Sequence, residues 1–193
     1  MKPFPDKKYQ IIYADPPWKY QDQSCEGAAA AHYDGMSLDS ICTLPVADIS
    51  DKDCVLFLWA TYPMLKEALR VIDAWGFEYK SIAFQWLKLN KNNQTPYRPF
   101  YGLGRWTRGN TEPCFLATKG KPSRVSDDVS QLIKRSLTKH SEKPHEAREK
   151  IVRLMGDLPR IELFARRKFP GWDCWGDDVE LDGPVLTTDL SLF

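Results

Sequence analysis

The sequence predicts an α/β protein with a mostly parallel central sheet flanked by helices. Three observations carry that expectation. Short apolar runs rich in β-branched and aromatic residues recur along the chain. Stretches of helical periodicity lie between them. Turn formers stand at most junctions.

The run Tyr-Gln-Ile-Ile-Tyr-Ala at residues 9–14 reads as a buried strand. Asp15-Pro16-Pro17 stops it, because neither proline can donate to a ladder. Residues 54–60 read as a second buried strand. A helix follows: Thr61 can cap it, Pro63 suits its first turn, and Leu65, Ala68, Leu69, Ile72 and Trp75 repeat at helical spacing up to Gly76. Residues 77–89 and 113–118 look extended. Between them, residues 90–110 form a long segment rich in glycine, proline, asparagine and aromatics, a length that usually signals function. Residues 144–155 predict a helix with Ala147, Ile151, Leu154 and Met155 inward and Gly156 as its stop. Residues 160–165 predict a further strand. In sheets of this kind, ligands sit at the carboxyl ends of the strands.

Composition excludes several classes. The longest apolar runs, such as residues 54–60, cannot span a bilayer, and the first residues hold no apolar signal core, so a cytoplasmic protein with no membrane partner is expected. The five cysteines form no Cys-x-x-Cys pair, and the three histidines, His32, His140 and His145, show no metal-ligand spacing. No metal is expected, and the thiols read as reduced. Net charge is only +1, but its distribution is uneven. From Lys80 to Arg124 the bases are Lys80, Lys88, Lys91, Arg98, Arg105, Arg108, Lys119, Lys121 and Arg124, against the single acid Glu112. From Asp173 onward there are acids and no base. The middle of the chain is therefore suited to meet an anion.

The strongest signal is Asp15-Pro16-Pro17-Trp18 at the end of a strand. An exocyclic amino nitrogen on a heteroaromatic ring is a poor nucleophile, since its lone pair is delocalised into the ring. Two acceptors set against its hydrogens draw it toward tetrahedral geometry and free that lone pair. The Asp15 carboxylate can be one acceptor and the Pro16 carbonyl the second, aimed in advance by prolines of fixed φ. The Trp18 ring can stack on the base, a contact worth about 1–3 kcal/mol. Attack on an activated methyl group then needs alignment rather than a strong base.

Several segments together resemble the MT-A(70) family of adenine-N(6) methyltransferases. Tyr13-Ala14-Asp15-Pro16-Pro17-Trp18 is similar to its catalytic motif, and Tyr33-Asp34-Gly35-Met36-Ser37 to its Tyr-x-x-Met-Ser segment. Leu56-Phe57-Leu58-Trp59 resembles its second strand, and Trp86-Leu87-Lys88 its Trp-x-Lys strand. Gly104-Arg105-Trp106 with Glu112 resembles its gate loop. Ser141-Glu142-Lys143-Pro144 resembles its Ser-x-Lys-Pro segment, and Glu162-Leu163-Phe164-Ala165-Arg166 its Glu-Leu-Phe-x-Arg strand. The resemblance covers residues 9–178. It implies a Rossmann-like, S-adenosylmethionine-dependent fold with permuted motif order, the catalytic motif first and much of the cofactor site last. One methyltransferase domain over residues 1–183 is expected, with a substrate-loop insertion at 90–112 and a tail at 184–193.

Carried over by motif, Asp15, Pro16, Pro17 and Trp18 are the catalytic group. Asp15, Lys143, Glu162, Phe164 and Arg166 are expected at the cofactor, which leaves as S-adenosylhomocysteine. Tyr33, Glu112 and Lys143 are expected to border the base. Asp177-Asp178 stand where eukaryotic members have Asn-Gln near the cofactor ribose; two acids accept from hydroxyls but cannot donate as an amide does. Asp6 is expected to stand in for the segment that covers the cofactor adenine in larger relatives. Lys88, Arg98, Arg105, Trp106 and Arg108 are the expected contacts to nucleic acid. With no appended zinc finger or RNA-binding module, a bacterial or phage-type member is expected. DNA is favoured over RNA, with base flipping. A catalytically silent nucleic-acid-binding subunit of the same family is the alternative from another class, and the intact Asp15-Pro16-Pro17-Trp18 argues against it. A homodimer or partner subunit is compatible with the chain.

Overall fold

The computed structural model describes residues 2–19, 35–90, 99–102, 106–137 and 142–176. Within them, seven strands form one sheet. In chain order they are β1 (Tyr9–Ala14), β2 (Ser50–Trp59), β3 (Glu78–Leu89), β4 (Thr111–Lys119), β5 (Leu132–Ser136), β6 (Arg160–Leu163) and β7 (Asp173–Trp175). The helices are α1 (Leu38–Cys42), α2 (Val46–Ile49), α3 (Leu65–Ala74) and α4 (Glu146–Met155), with a 3-10 turn at Tyr62–Met64 leading into α3.

The strand order is β5-β3-β4-β2-β1-β6-β7. The first strand thus lies inside the sheet, between β2 and β6, and the last two lie at one edge. The pairs β1–β2, β1–β6, β6–β7 and β3–β5 are parallel, while β4 runs antiparallel to both neighbours. The reversal of β4 has a consequence for the site. It brings the start of β4, with Glu112, to the edge where the other strands end.

Alternation of side chains along the strands divides the core into two layers. On one face Ile12, Leu56, Leu58, Phe115 and Ile161 pack against α1–α3 through Ile41, Val71, Ile72 and Trp75. On the other face Ile11, Tyr13, Phe57, Trp59, Phe84 and Trp86 pack against Ala147, Ile151 and Met155 of α4. The inner strands have both faces covered, which is why residues 54–59 of β2 read as one unbroken apolar run.

Most expected elements are present. β1 has the expected bounds, and β2 begins four residues earlier than predicted, at Ser50. The α3 helix ends in a Schellman motif: Phe77 N–H bonds to the Ile72 carbonyl and Gly76 N–H to that of Asp73. Gly76 has φ of 80°, which explains the glycine stop. The last expected strand ends at Leu163 rather than residue 165, because Phe164 turns to φ of 62°. Four elements were not expected, namely α1, α2, β5 and β7. Each spans five residues or fewer, too short for a period to register. The expected tail at 184–193 lies outside the described residues.

Candidate active site

The carboxyl edge of the sheet gathers Asp15 from the end of β1, Lys88 from β3, Glu112 from β4 and Lys143 from the segment before α4. They form one array of alternating charge. Lys143 Nζ lies 2.8 Å from each Asp15 oxygen and 3.2 Å from Glu112 Oε1, while Lys88 Nζ lies 2.7 Å from Glu112 Oε2. The Glu112 and Lys143 side chains are only 8% exposed, Asp15 is 23% exposed and Lys88 22%. The buried middle of the array is thus charge-paired, and its Asp15 end opens toward solvent.

The two carboxylates respond differently to this setting. Burial penalises the charged form of Asp15 most strongly. Lys143 opposes that and Glu112 reinforces it, so the Asp15 pKa is raised above the usual carboxylate value. Burial acts on Glu112 in the same direction, but two lysines face it, and together they hold its pKa below the usual value. Lys143 is desolvated too, yet two carboxylates outweigh that and keep it protonated.

The Pro-Pro turn is closed by its own backbone. Trp18 N–H donates to the Pro16 carbonyl at 2.9 Å, and Met36 N–H to the Pro17 carbonyl at 2.8 Å. Proline's fixed φ suits the centre of such a three-residue turn. A carbonyl oxygen has two lone pairs, so Pro16 keeps one for a ligand. The Trp18 ring is oriented from below. Its Nε1–H donates to the Trp59 carbonyl at 3.0 Å, and Trp59 Nε1–H donates to the buried Tyr13 hydroxyl at 2.7 Å.

At the neighbouring end of β6, Phe164 holds a left-handed backbone that costs on the order of 1–3 kcal/mol in a non-glycine residue. Its ring packs edge-on against Trp175, which also carries Phe4 and donates from Nε1 to the Lys2 carbonyl. Arg166 is exposed and sits near enough to Asp15 to favour its ionised form.

The structure revises three expectations. Glu162 is not presented free to ribose hydroxyls. It lies under α4 with both oxygens on Arg148, at 2.7 and 2.5 Å, and the Arg148 guanidinium lies 3.7 Å from the centroid of the Phe169 ring. Asp6 is exposed and precedes β1, at the end of that strand remote from Asp15; the parts of its segment that reach the carboxyl edge are Phe4 and the Lys2 carbonyl. Lys88 belongs to the array through Glu112 rather than offering a free ammonium to phosphate. Trp106 and Arg108 are exposed, as a nucleic-acid contact requires. Tyr33, Arg98, Arg105, Asp177 and Asp178 lie outside the described residues. Arg148, Tyr13 and Trp59 were not singled out from sequence. Arg148 could have been found, since it falls on the apolar face of α4 beside Ala147 and Ile151, where a charge needs a partner.

A cavity of about 440 Å³ flanks α4 and touches Lys143, Arg148, Trp86 and Trp172. Its arginines are matched by acids, Arg135 by Glu146 and Arg167 by Glu142, so it offers no unbalanced charge to an anion. Among the described residues no group of histidines, cysteines and acids could hold a metal ion, and no helix is long and apolar enough to cross a membrane.

A mostly parallel α/β sheet with a polar array and a rigid acceptor turn at its carboxyl edge is the frame of a group-transfer enzyme. Comparison with known proteins specifies the group. The MT-A70 family model matches residues 9–178, and the chain belongs to that family. It is 37% identical to the type II methyltransferase M.MunI of Mycoplasma sp, over 91% of this chain and 79% of that protein. It is 27% identical to the human N(6)-adenine-specific methyltransferase METTL4, over 90% of this chain and 38% of that protein. It is 26% identical to an Arabidopsis thaliana N(6)-adenosine-methyltransferase MT-A70-like protein, over 89% of this chain and 24% of that one. The chain is an adenine-N(6) methyltransferase, and use of S-adenosylmethionine is general among such enzymes.

Proposed function

We propose that this chain transfers a methyl group from S-adenosylmethionine to the N(6) amino group of an adenine flipped out of DNA. The observation that carries this reading is the Asp15 carboxylate, partly open and held by Lys143, beside a Pro16 carbonyl with a spare lone pair. Adjacent in the chain, these two acceptors would hold the hydrogens of an NH2 group in this reading.

In this reading the cofactor supplies an electrophilic methyl whose sulfonium charge vanishes on transfer. The residues present fit such a molecule. Phe4 and Phe164, packed on Trp175, give an aromatic surface for its adenine, and the exposed Arg166 brings positive charge for its carboxylate. Asp15 is the stronger acceptor when ionised, with no O–H competing for the site. Lys143 keeps it charged, and Glu112 and Lys88 keep Lys143 in place. Trp18, held by Trp59, offers a face for the base.

DNA is the preferred polymer because the 37% identity is to a type II methyltransferase, whereas the fungal relatives named as RNA methyltransferases stand at 26% and 24%. Incubation with tritiated cofactor and duplex DNA, single-stranded DNA or RNA, followed by digestion to nucleosides, tests the reading. Label in N(6)-methyldeoxyadenosine is expected. Label confined to N(6)-methyladenosine would make RNA the substrate, and label in neither would refute the reading.

A further inference from the structure

We propose that Trp106 is a wedge that enters duplex DNA and fills the gap left in the base stack when the target adenine flips. The inference rests on the DNA reading above and extends it to strandedness and to the device that holds the duplex open.

Single exposed apolar side chains are ordinary on protein surfaces. Trp106 is not of that kind. Its side chain is 100% exposed, although six other tryptophans in this chain include three that are fully buried. Its position is also specific. Residues 99–102 and 106–110 run beside one another, joined by a bond of 2.8 Å from Gly102 N–H to the Gly109 carbonyl. A Cβ on Gly102 would lie 2.8 Å from that oxygen, so the close approach needs glycine. The base of this ribbon is Lys88 itself, whose N–H donates to Asn110 and whose carbonyl accepts from Phe100, both at 2.8 Å. Lys88 and Glu112, two members of the charged array, therefore anchor the element that carries Trp106. Trp106 lies six positions before Glu112, which limits its reach from the site to about 20 Å. That reach is comparable to the width of a duplex, so one ribbon can span from a flipped base to the space it vacated.

The neighbouring side chains suit the same partner. Tyr101 is 63% exposed and Arg108 is exposed, so the same ribbon also carries an accessible aromatic and an accessible cation. Flipping costs a few kcal/mol of lost stacking and pairing. An indole is the largest flat side chain available to replace a purine in the stack.

Because Trp106 lies wholly outside the core, removing it should leave the fold intact. Single-turnover methyl transfer from tritiated cofactor is measured for wild type, W106A and W106F on duplex plasmid DNA and on the same DNA heat-denatured. Permanganate reactivity of the bound duplex reports thymines left unstacked. W106A is expected to lose at least tenfold of the duplex rate and to lower the permanganate signal, with Tm and cofactor binding unchanged. W106F should recover part of the duplex rate, and any transfer to denatured DNA should fall by a clearly smaller factor than transfer to duplex. The proposal is overturned if W106A methylates duplex DNA within twofold of wild type, or if duplex and denatured rates fall together. It is also overturned if W106A dissociates a wild-type dimer on sizing chromatography, which would make the partner a second copy. Wild-type protein that leaves duplex DNA unmethylated would instead defeat the DNA reading before any variant is compared.

Discussion

Two carboxylate–cation assemblies lie on the same face of the sheet, and they differ in what surrounds them. Glu162 and Arg148 lie beneath α4, with both carboxylate oxygens held by the guanidinium. Asp15, Lys143, Glu112 and Lys88 line the carboxyl edge, and the Asp15 end meets solvent. The chemical groups are alike, and each carboxylate has both oxygens on a cation, but the Glu162 pair is the more closed, at 8% and 11% exposed, whereas Asp15 is 23% exposed. The more closed pair is expected to act chiefly on stability and the more open one on turnover, so we propose these roles for Glu162 and Asp15.

Separating stability from turnover is the way to break this comparison. The largest effect is expected at the closed pair. Glu162→Gln leaves the Arg148 charge buried without its partner, at a cost of about 3–5 kcal/mol. For a chain of this size that corresponds to a fall in Tm of roughly 6–20 °C. Thermal unfolding followed by circular dichroism checks it, and an unchanged Tm would mean the pair is not closed. At the open array, Asp15→Ala is expected to lower kcat by about 10²–10³, the usual loss for one transition-state acceptor or donor. Lys143 keeps Glu112 as partner, so Tm should move by only a few degrees. A smaller effect is expected at Tyr13, which joins the two regions. Its ring faces Arg148, and its hydroxyl accepts from Trp59, which in turn holds Trp18. Tyr13→Phe leaves a buried indole N–H without its acceptor, at about 1–3 kcal/mol, and should lower turnover because Trp18 loses its reference.

The smallest shift is in pH dependence. Protonated Asp15 presents a donor where an acceptor is needed, so the rate should fall about tenfold per pH unit below its pKa. Burial places that pKa above the ordinary carboxylate value, and the acid limb should lie correspondingly higher. Lys143→Met removes a lowering influence and should carry the limb further up. A limb that stays put in this variant would show that Lys143 does not act through Asp15.

The contrast also explains what was legible in the sequence. β1 and its stop could be read because an apolar run and two prolines are local signals. α4 could be read from its period, Asp15 from its place after a strand, and Glu112 and Lys143 as separate candidates from the family resemblance. Their union into one array was not legible, because it depends on the reversal of β4 and on pairing between distant strands. For the same reason Lys88 read as a phosphate contact, since nothing local announces that Glu112 sits across from its neighbour Trp86. Glu162 read as a ribose ligand because a strand-end acid looks available until the helix above it is known to carry Arg148. Asp6 was misplaced for a simpler reason: the distance between the two ends of β1 cannot be seen in a motif.

The central claim is the grip of one carboxylate and one peptide oxygen on an amino group. A crystal structure of the enzyme with an unreactive analogue of the methyl donor and duplex DNA would test it directly. The account predicts the adenine amino nitrogen within about 3 Å of both an Asp15 oxygen and the Pro16 carbonyl oxygen, with the donor's sulfur position on the far side of that nitrogen. An adenine bound elsewhere, with Asp15 still closed on Lys143 alone, would contradict it.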